Sequence, residues 1–132
     1  MRMRPSLTAD DAKTMMAACI NEAEKQQWSL SIAIVDDAGY ILRLDRMDGA
    51  GPASSDVALG KARTAAITRR RTREWEERLK DRPAFLTYPA DVMLQGGVPI
   101  FHEGECVGAI GVSGRASHED EQVADAGVAA LS

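Results

Sequence analysis

Apolar residues recur at helical spacing early in the chain. Ala12, Met15, Met16, Cys19, Ile20 and Ala23 share one face, which predicts a helix from about Ala9 to Gln27. Thr8 stands before it and Asp11 three residues on, a capping box with Asp in place of the usual Glu. The pattern then becomes a continuous apolar run, Leu30 to Val35 (LSIAIV), read as a strand buried on both faces. Asp36, Asp37, Ala38 and Gly39 supply turn chemistry, and Tyr40 to Arg46 (YILRLDR) returns in alternation. Tyr40, Leu42 and Leu44 fall on one face of this second strand, and Ile41, Arg43 and Asp45 on the other. The pair forms an antiparallel hairpin that delivers Arg46 and Asp48 to one end of a sheet.

A loop holding Gly49, Gly51 and Pro52 leads into a helix predicted over residues 55–70, with Ser54 or Ser55 as its N-cap. Ala58, Ala62, Ala65 and Ala66 form a small-residue stripe that lets this helix approach its neighbour closely. Ser54, Val57, Lys61, Thr64 and Thr68 form the adjoining stripe, expected to edge a cleft. After Arg69–Arg71 comes a second helical piece, with Thr72 as a cap candidate and Trp75 and Leu79 on one face, ended by Pro83. Phe85, Leu86 and Tyr88 then suit either a flap over a pocket or plain packing.

Val92 to Leu94 is short and apolar. Val98 to Phe101 reads as a strand whose Pro99 places it at an edge or a bulge. His102 to Glu105 turn the chain, and Cys106 to Ser113 form the last strand, with Gly108 and Gly111 marking close approach by a helix or ligand. SHED (117–120) is a capping-box variant for a final helix carrying Val123, Ala124, Gly127, Val128 and Leu131 on its inner face. Strands met in hairpins and helices met in blocks predict an α+β layered fold. A single domain spanning residues 1–132 is expected, without repeat or linker.

Charge changes this picture locally. The net charge is −4, yet nine basic and four acidic residues lie between Lys61 and Arg82, a local +5 that leaves −9 elsewhere. Glu74, Glu76, Glu77 and Asp81 interleave with those bases and only Trp75 is there to stack, which favours a salt-bridged helix over a nucleic-acid surface. No apolar run approaches the ~20 residues of a membrane span. The basic N-terminus lacks the apolar core of a signal peptide, so a cytoplasmic protein is expected. Cys19 and Cys106 show no metal-ligand spacing; both read as small buried hydrophobes, and no metal site is expected.

The candidate chemistry concentrates in RMDGAGPASSDVALGKARTAA (46–66). Arg46, Asp48, Ser54, Lys61 and Thr64, joined by Ser113 from the last strand, form the candidate ligand-binding set. Arg46, helix-start amides and Lys61 together suit an anion, since a helix N-terminus carries partial positive charge. The same residues also suit a capped, solvated helix, with Lys61 paired to Asp56 or Asp48.

With these pieces in place the chain resembles the GlcG/HbpS family, the haem-binding-protein-like domain found at the C-terminus of PduO-type proteins. The resemblance rests on SIAIVDDAGYILRLDRMDGA (31–50), KARTAA (61–66), GGVPI (96–100), GECVGAIGVSG (104–114) and DEQVADAG (120–127). It implies a profilin-like fold, a central antiparallel sheet with helices packed on it, and a homo-oligomer: dimer, tetramer or octamer. It also implies haem as a candidate cofactor, since some members bind haem. PduO-type relatives take an axial histidine from the N-terminal helix, and that helix has none here. His102 and His118 are the remaining candidate haem ligands, beside Met15, Met16, Tyr88 or a ligand-free stack between apolar surfaces. Arg46 or the 69–73 arginines would then meet the propionates.

Two functions follow. The first is an oligomeric binding domain that holds haem, another tetrapyrrole or a smaller anion in a cleft beside the RMDGA loop. The second is an enzyme acting on a small carboxylated metabolite, with Arg46 as carboxylate clamp and Lys61 or Asp48 as acid or base. No nucleophile–base motif accompanies the second. Neither involves nucleic acid or membrane. A weaker third reading is a regulatory protein whose charged 69–82 helix docks onto a partner.

Overall fold

β-Branched and apolar residues dominate the central strands, and helix formers dominate the blocks between them. The computed structural model, which describes residues 1–131, orders these elements as α1 (Ala9–Lys25), β1 (Ser31–Asp36), β2 (Ile41–Arg46), α2 (Ala53–Thr68), α3 (Thr72–Asp81), a 3-10 turn (Pro83–Thr87), β3 (Gly97–His102), β4 (Glu105–Ser113) and α4 (Ser117–Ala129). The strands form one antiparallel sheet in the order β2-β1-β4-β3. The expected α+β architecture, helices on a central antiparallel sheet, is the one observed.

Each face of the sheet has its own core. On one, Leu30, Ile32, Ile34, Ile110 and Val112 meet Met15, Met16 and Cys19 of α1 and Val123 and Ala124 of α4. On the other, Ala33, Val35 and Ala109 meet the alanine stripe of α2. A Cβ on Gly111 would run into the Ala58 carbonyl and the Ala62 amide, so α2 sits against bare backbone there. Both cysteines are buried, and desolvation pushes the Cys19 thiol up to about 12.

The Thr8 capping box forms as expected: its hydroxyl accepts from Asp11 N–H at 3.1 Å, and Asp11 accepts from Thr8 N–H at 2.9 Å. The other caps differ. Helix α2 starts at Ala53 behind Pro52, with no side-chain cap, because the Ser54 hydroxyl instead bonds Ser31 Oγ at 2.8 Å and the Gly51 carbonyl. Thr72 lies inside α3, and its hydroxyl accepts from Gly97 N–H at 2.8 Å, tying α3 to β3. Before α4 the N-cap position is Ala116, whose N–H donates to Glu119, while Ser117 is the first helical residue.

Pro99 sits in an edge strand that also bulges between Ile100 and Phe101. Residues 92–94 form no strand, and Leu131 lies past the end of α4, 37% exposed rather than on its inner face. The segment at Phe85–Tyr88 packs on α3: the rings of Phe85 and Tyr88 lie 5.6 and 4.8 Å from that of Trp75. None of its residues lines the hairpin pocket or the Arg46 groove described below.

Candidate functional site

Lys61 and Arg46 do not share a hollow. Lys61 is 2% exposed; its ammonium donates to Asp120 Oδ2 at 3.1 Å and to the Val112 carbonyl at 2.9 Å. Its carboxylate partner is therefore Asp120 of α4, not Asp56 or Asp48. Since α2 and α4 lie on opposite faces of the sheet, this pair ties the two helical layers together. Gly96 lets it pass, because a Cβ there would lie 2.8 Å from the Lys61 ammonium. Asp120 also accepts from Arg115 N–H at 3.0 Å. Burial pushes its carboxyl above the usual range, against the opposing pull of Lys61.

Arg46 instead closes β2 and, with Asp48, borders a shallow groove of about 570 Å³ against Ile20 and Glu24 of α1. Its guanidinium is exposed and makes no ion pair among the described residues. Glu24, Asp45 and Asp48 line the same groove, so an anion there would meet one cation among three carboxylates.

The remaining expected site residues are scattered. Thr64 is fully buried and its hydroxyl accepts from Asp91 N–H at 2.8 Å. Ser54 is held by Ser31 and Gly51, and Ser113 sits at the end of β4 opposite Ser31. The structure thus separates the expected set into a buried tie (Lys61), two structural hydroxyls (Ser54, Thr64), a strand end (Ser113) and an open groove (Arg46, Asp48). Position along α2 decides this: Lys61 and Thr64 of the stripe beside the alanines are buried against neighbouring segments, and neither pocket described here borders α2. The arginine run is likewise engaged. Arg71 donates to Glu121 at 3.1 Å and Asp125 at 2.9 Å, and Arg73 donates to Glu121 at 3.0 Å.

Sequence reasoning missed a second pocket, of about 530 Å³, at the β3–β4 hairpin. Leu7 on one side, Ile100, Phe101 and Val107 from the strands, and Val128 and Leu131 beyond give it apolar walls. His102, Asp11, Glu103 and Ser6 are its polar lining. Nothing in the local pattern of β3 signalled it: Phe101 continues the apolar run of Val98 to Ile100, and only the fold leaves it 52% exposed. Arg2 and Arg4 reach the start of the adjoining strand, pairing with Glu105 and with the Cys106 carbonyl and Asp37.

This pocket fits haem in three respects. Its volume lies within the range of about 300–1,000 Å³ typical of small-molecule pockets. Its walls are apolar, and an exposed imidazole is part of the lining. His118, by contrast, is exposed at the start of α4 and lines neither pocket. Met15 and Met16 are sealed in the core at 0% and 1% exposure, so neither reaches a ligand. No cluster of His, Cys, Asp or Glu suited to a metal ion occurs among the described residues.

A four-stranded antiparallel sheet layered between helices, with an apolar pocket at one hairpin, defines an α+β domain of the HbpS type. Residues 7–129 match the model of the family described as haem degrading protein HbpS-like, and the chain belongs to that family. It is 43% identical over 114 residues to protein GlcG of Escherichia coli, a match covering 86% of this chain and 85% of GlcG. An HbpS double mutant from Streptomyces reticuli superposes with a TM-score of 0.93 at 38% identity, covering 100% of this chain and 91% of that one. PduOC, solved as a heme complex, superposes at 0.87 with 25% identity, covering 96% and 95% of the two chains. No helix among the described residues is long and apolar enough to cross a membrane.

Proposed function

We propose that this chain is a self-associating binding domain for haem or a related tetrapyrrole, and that the ligand enters the hairpin pocket. The observation that carries the reading is the pairing of apolar walls with the His102 imidazole in one hollow of ligand size. The likeness to PduOC, solved with heme, supports the ligand class. Haem would bring a planar apolar macrocycle and an iron centre. Leu7, Phe101 and Val128 would exclude water from the macrocycle, and His102 would offer the axial nitrogen. Asp11 and Glu103 repel propionates from their side, which directs those groups toward solvent or toward Arg2 and Arg4.

Titration of the purified protein with hemin tests this directly. The expected result is a shifted Soret band that saturates at one haem per chain or per dimer, and His102→Ala should change its position and weaken binding. A featureless titration of the wild type would end the haem reading.

The groove at Arg46 is the second reading, favoured by the unpaired guanidinium, and it would take a small carboxylate. Arg46→Ala would then abolish protection by that carboxylate against thermal unfolding while leaving the hemin titration unchanged. The enzyme form of this reading has less support, because of its two candidate acid–base groups Lys61 is committed to Asp120 and only Asp48 borders the groove.

A further inference from the structure

The two free edges of the sheet differ. At β3 the edge is interrupted by Pro99, which has no N–H to offer, and by the bulge at Ile100/Phe101. Strand β2 has neither proline nor lysine and its bulge lies only at its start, where Ile41 and Leu42, with Tyr40 just before the strand, are exposed at 53%, 38% and 69%. Apolar exposure on an edge without proline invites pairing with another strand wherever the strand's charges find opposite partners there.

The register of such pairing can be worked out. Met47 N–H donates to the Leu30 carbonyl, and the β1–β2 register then runs Ser31 with Arg46, Ile32 with Asp45, Ala33 with Leu44 and Ile34 with Arg43. Because an antiparallel ladder alternates, Asp45 and Arg43 exchange bonds with β1, whereas the backbone groups of Leu44 and Arg46 point outward. Leu42 has no partner across β1, which marks a bulge and confines a regular seam to residues 43–46.

Within that stretch the side chains select one two-fold arrangement. A seam centred on Arg43, Asp45 or Arg46 sets that residue against its own copy, and like charges directly opposite repel. Centring on Leu44 sets Leu44 against Leu44 and each Arg43 against the other chain's Asp45. Arg43 and Asp45 already lie on one side of the strand, 3.8 Å apart, so the two copies would form a four-charge cluster. Tyr40 and Ile41 add exposed apolar surface at the start of the strand, Ile41 on the opposite face with Val35.

We infer that the β2 edge is a two-fold seam for a second copy of this chain, centred on Leu44 and fixed by reciprocal Arg43–Asp45 pairs, which joins two four-stranded sheets into one. The inference rests on the self-association proposed above and is independent of haem, whereas Leu44, Asp45 and Arg46 also line the Arg46 groove, which the seam would border.

Charge reversal tests it by light scattering and sedimentation. Arg43→Asp places two acids opposite each other across the seam, and Asp45→Arg places two bases there. Each variant alone should dimerise roughly tenfold or more weakly than the wild type. An equimolar mixture of the two should recover dimers, since every opposed pair is then of opposite sign. Leu44→Cys should form an intermolecular disulfide under mild oxidation, because opposed Cα atoms of a bonded pair lie at about 5.5 Å, within disulfide reach. A wild-type monomer would overturn self-association and the seam together. A wild-type dimer unaffected by either reversal, a mixture that fails to recover, or an uncrosslinked Leu44→Cys would overturn the seam alone.

Discussion

The two faces of the sheet solve the burial problem in opposite ways. The α1/α4 face is filled with large, adaptable side chains, among them Met15, Met16, Ile32, Ile34 and Ile110, which hold helices at a distance set by their volume. The α2 face is built from alanine and glycine, and its helix lies close to strand backbone at Gly111. A large-residue face is vulnerable to lost atoms and an alanine face to added ones. The Lys61–Asp120 pair couples them, anchored on α2 at one end and on α4 at the other.

Breaking the coupling should have the largest effect. Lys61→Ala leaves the Asp120 carboxylate buried without its countercharge, at a cost of about 3–5 kcal/mol in chemical denaturation. Replacing both partners at once with apolar residues, Lys61→Met with Asp120→Leu, should recover most of that loss. The effect depends on pH with a definite sign. Burial raises the folded-state pKa of Asp120 above its ordinary value of 3.8, so its contribution to stability is complete below that value and is lost as pH rises through the folded one. Lys61 opposes the loss, so the cost of Lys61→Ala should grow as pH rises through the raised folded pKa of Asp120 and shrink on acidification. A pH-independent cost would show that Asp120 is not raised by burial.

The next effect sharpens the contrast between faces, one carbon at a time. Gly111→Ala adds a methyl where the Ala58 carbonyl and Ala62 amide already stand, and should cost about 3 kcal/mol, the upper end of the overpacking range. Ile34→Val removes one methyl from the other face and should cost only about 1 kcal/mol. Equal losses in paired urea melts would mean that α2 can shift outward, and the distinction between the faces would fail.

Much of the fold was legible in the chain. The periodicity of residues 12–23, the run at 30–35 and the turn chemistry at 36–39 each reflect local geometry, and each element formed within a few residues of its expected place. The Thr8–Asp11 box was readable because both partners lie within one turn. The caps at Ser54, Thr72 and Ser117 were not, because nearby hydroxyls and termini had other partners: Ser31 for Ser54, and the Gly97 amide for Thr72.

The candidate site was less legible still. Arg46 and Lys61 are close in sequence, which suggested a common cleft, yet the α2 layer turns Lys61 toward a carboxylate fifty-nine residues away. The hairpin pocket draws Leu7, His102 and Val128 from three distant segments, and no local pattern links them.

By itself the sequence determined the order and type of the elements, the apolar face of each helix, the need for glycine at close approaches and the family to which the chain belongs. These follow from short-range sterics and from the side-chain period of strand and helix. Only the tertiary structure decided which charges are buried together, which hydroxyls are consumed by the framework, where a hollow of ligand size lies and which sheet edge is open. Those properties depend on distances between residues far apart in the chain, and such distances are set by how the layers stack.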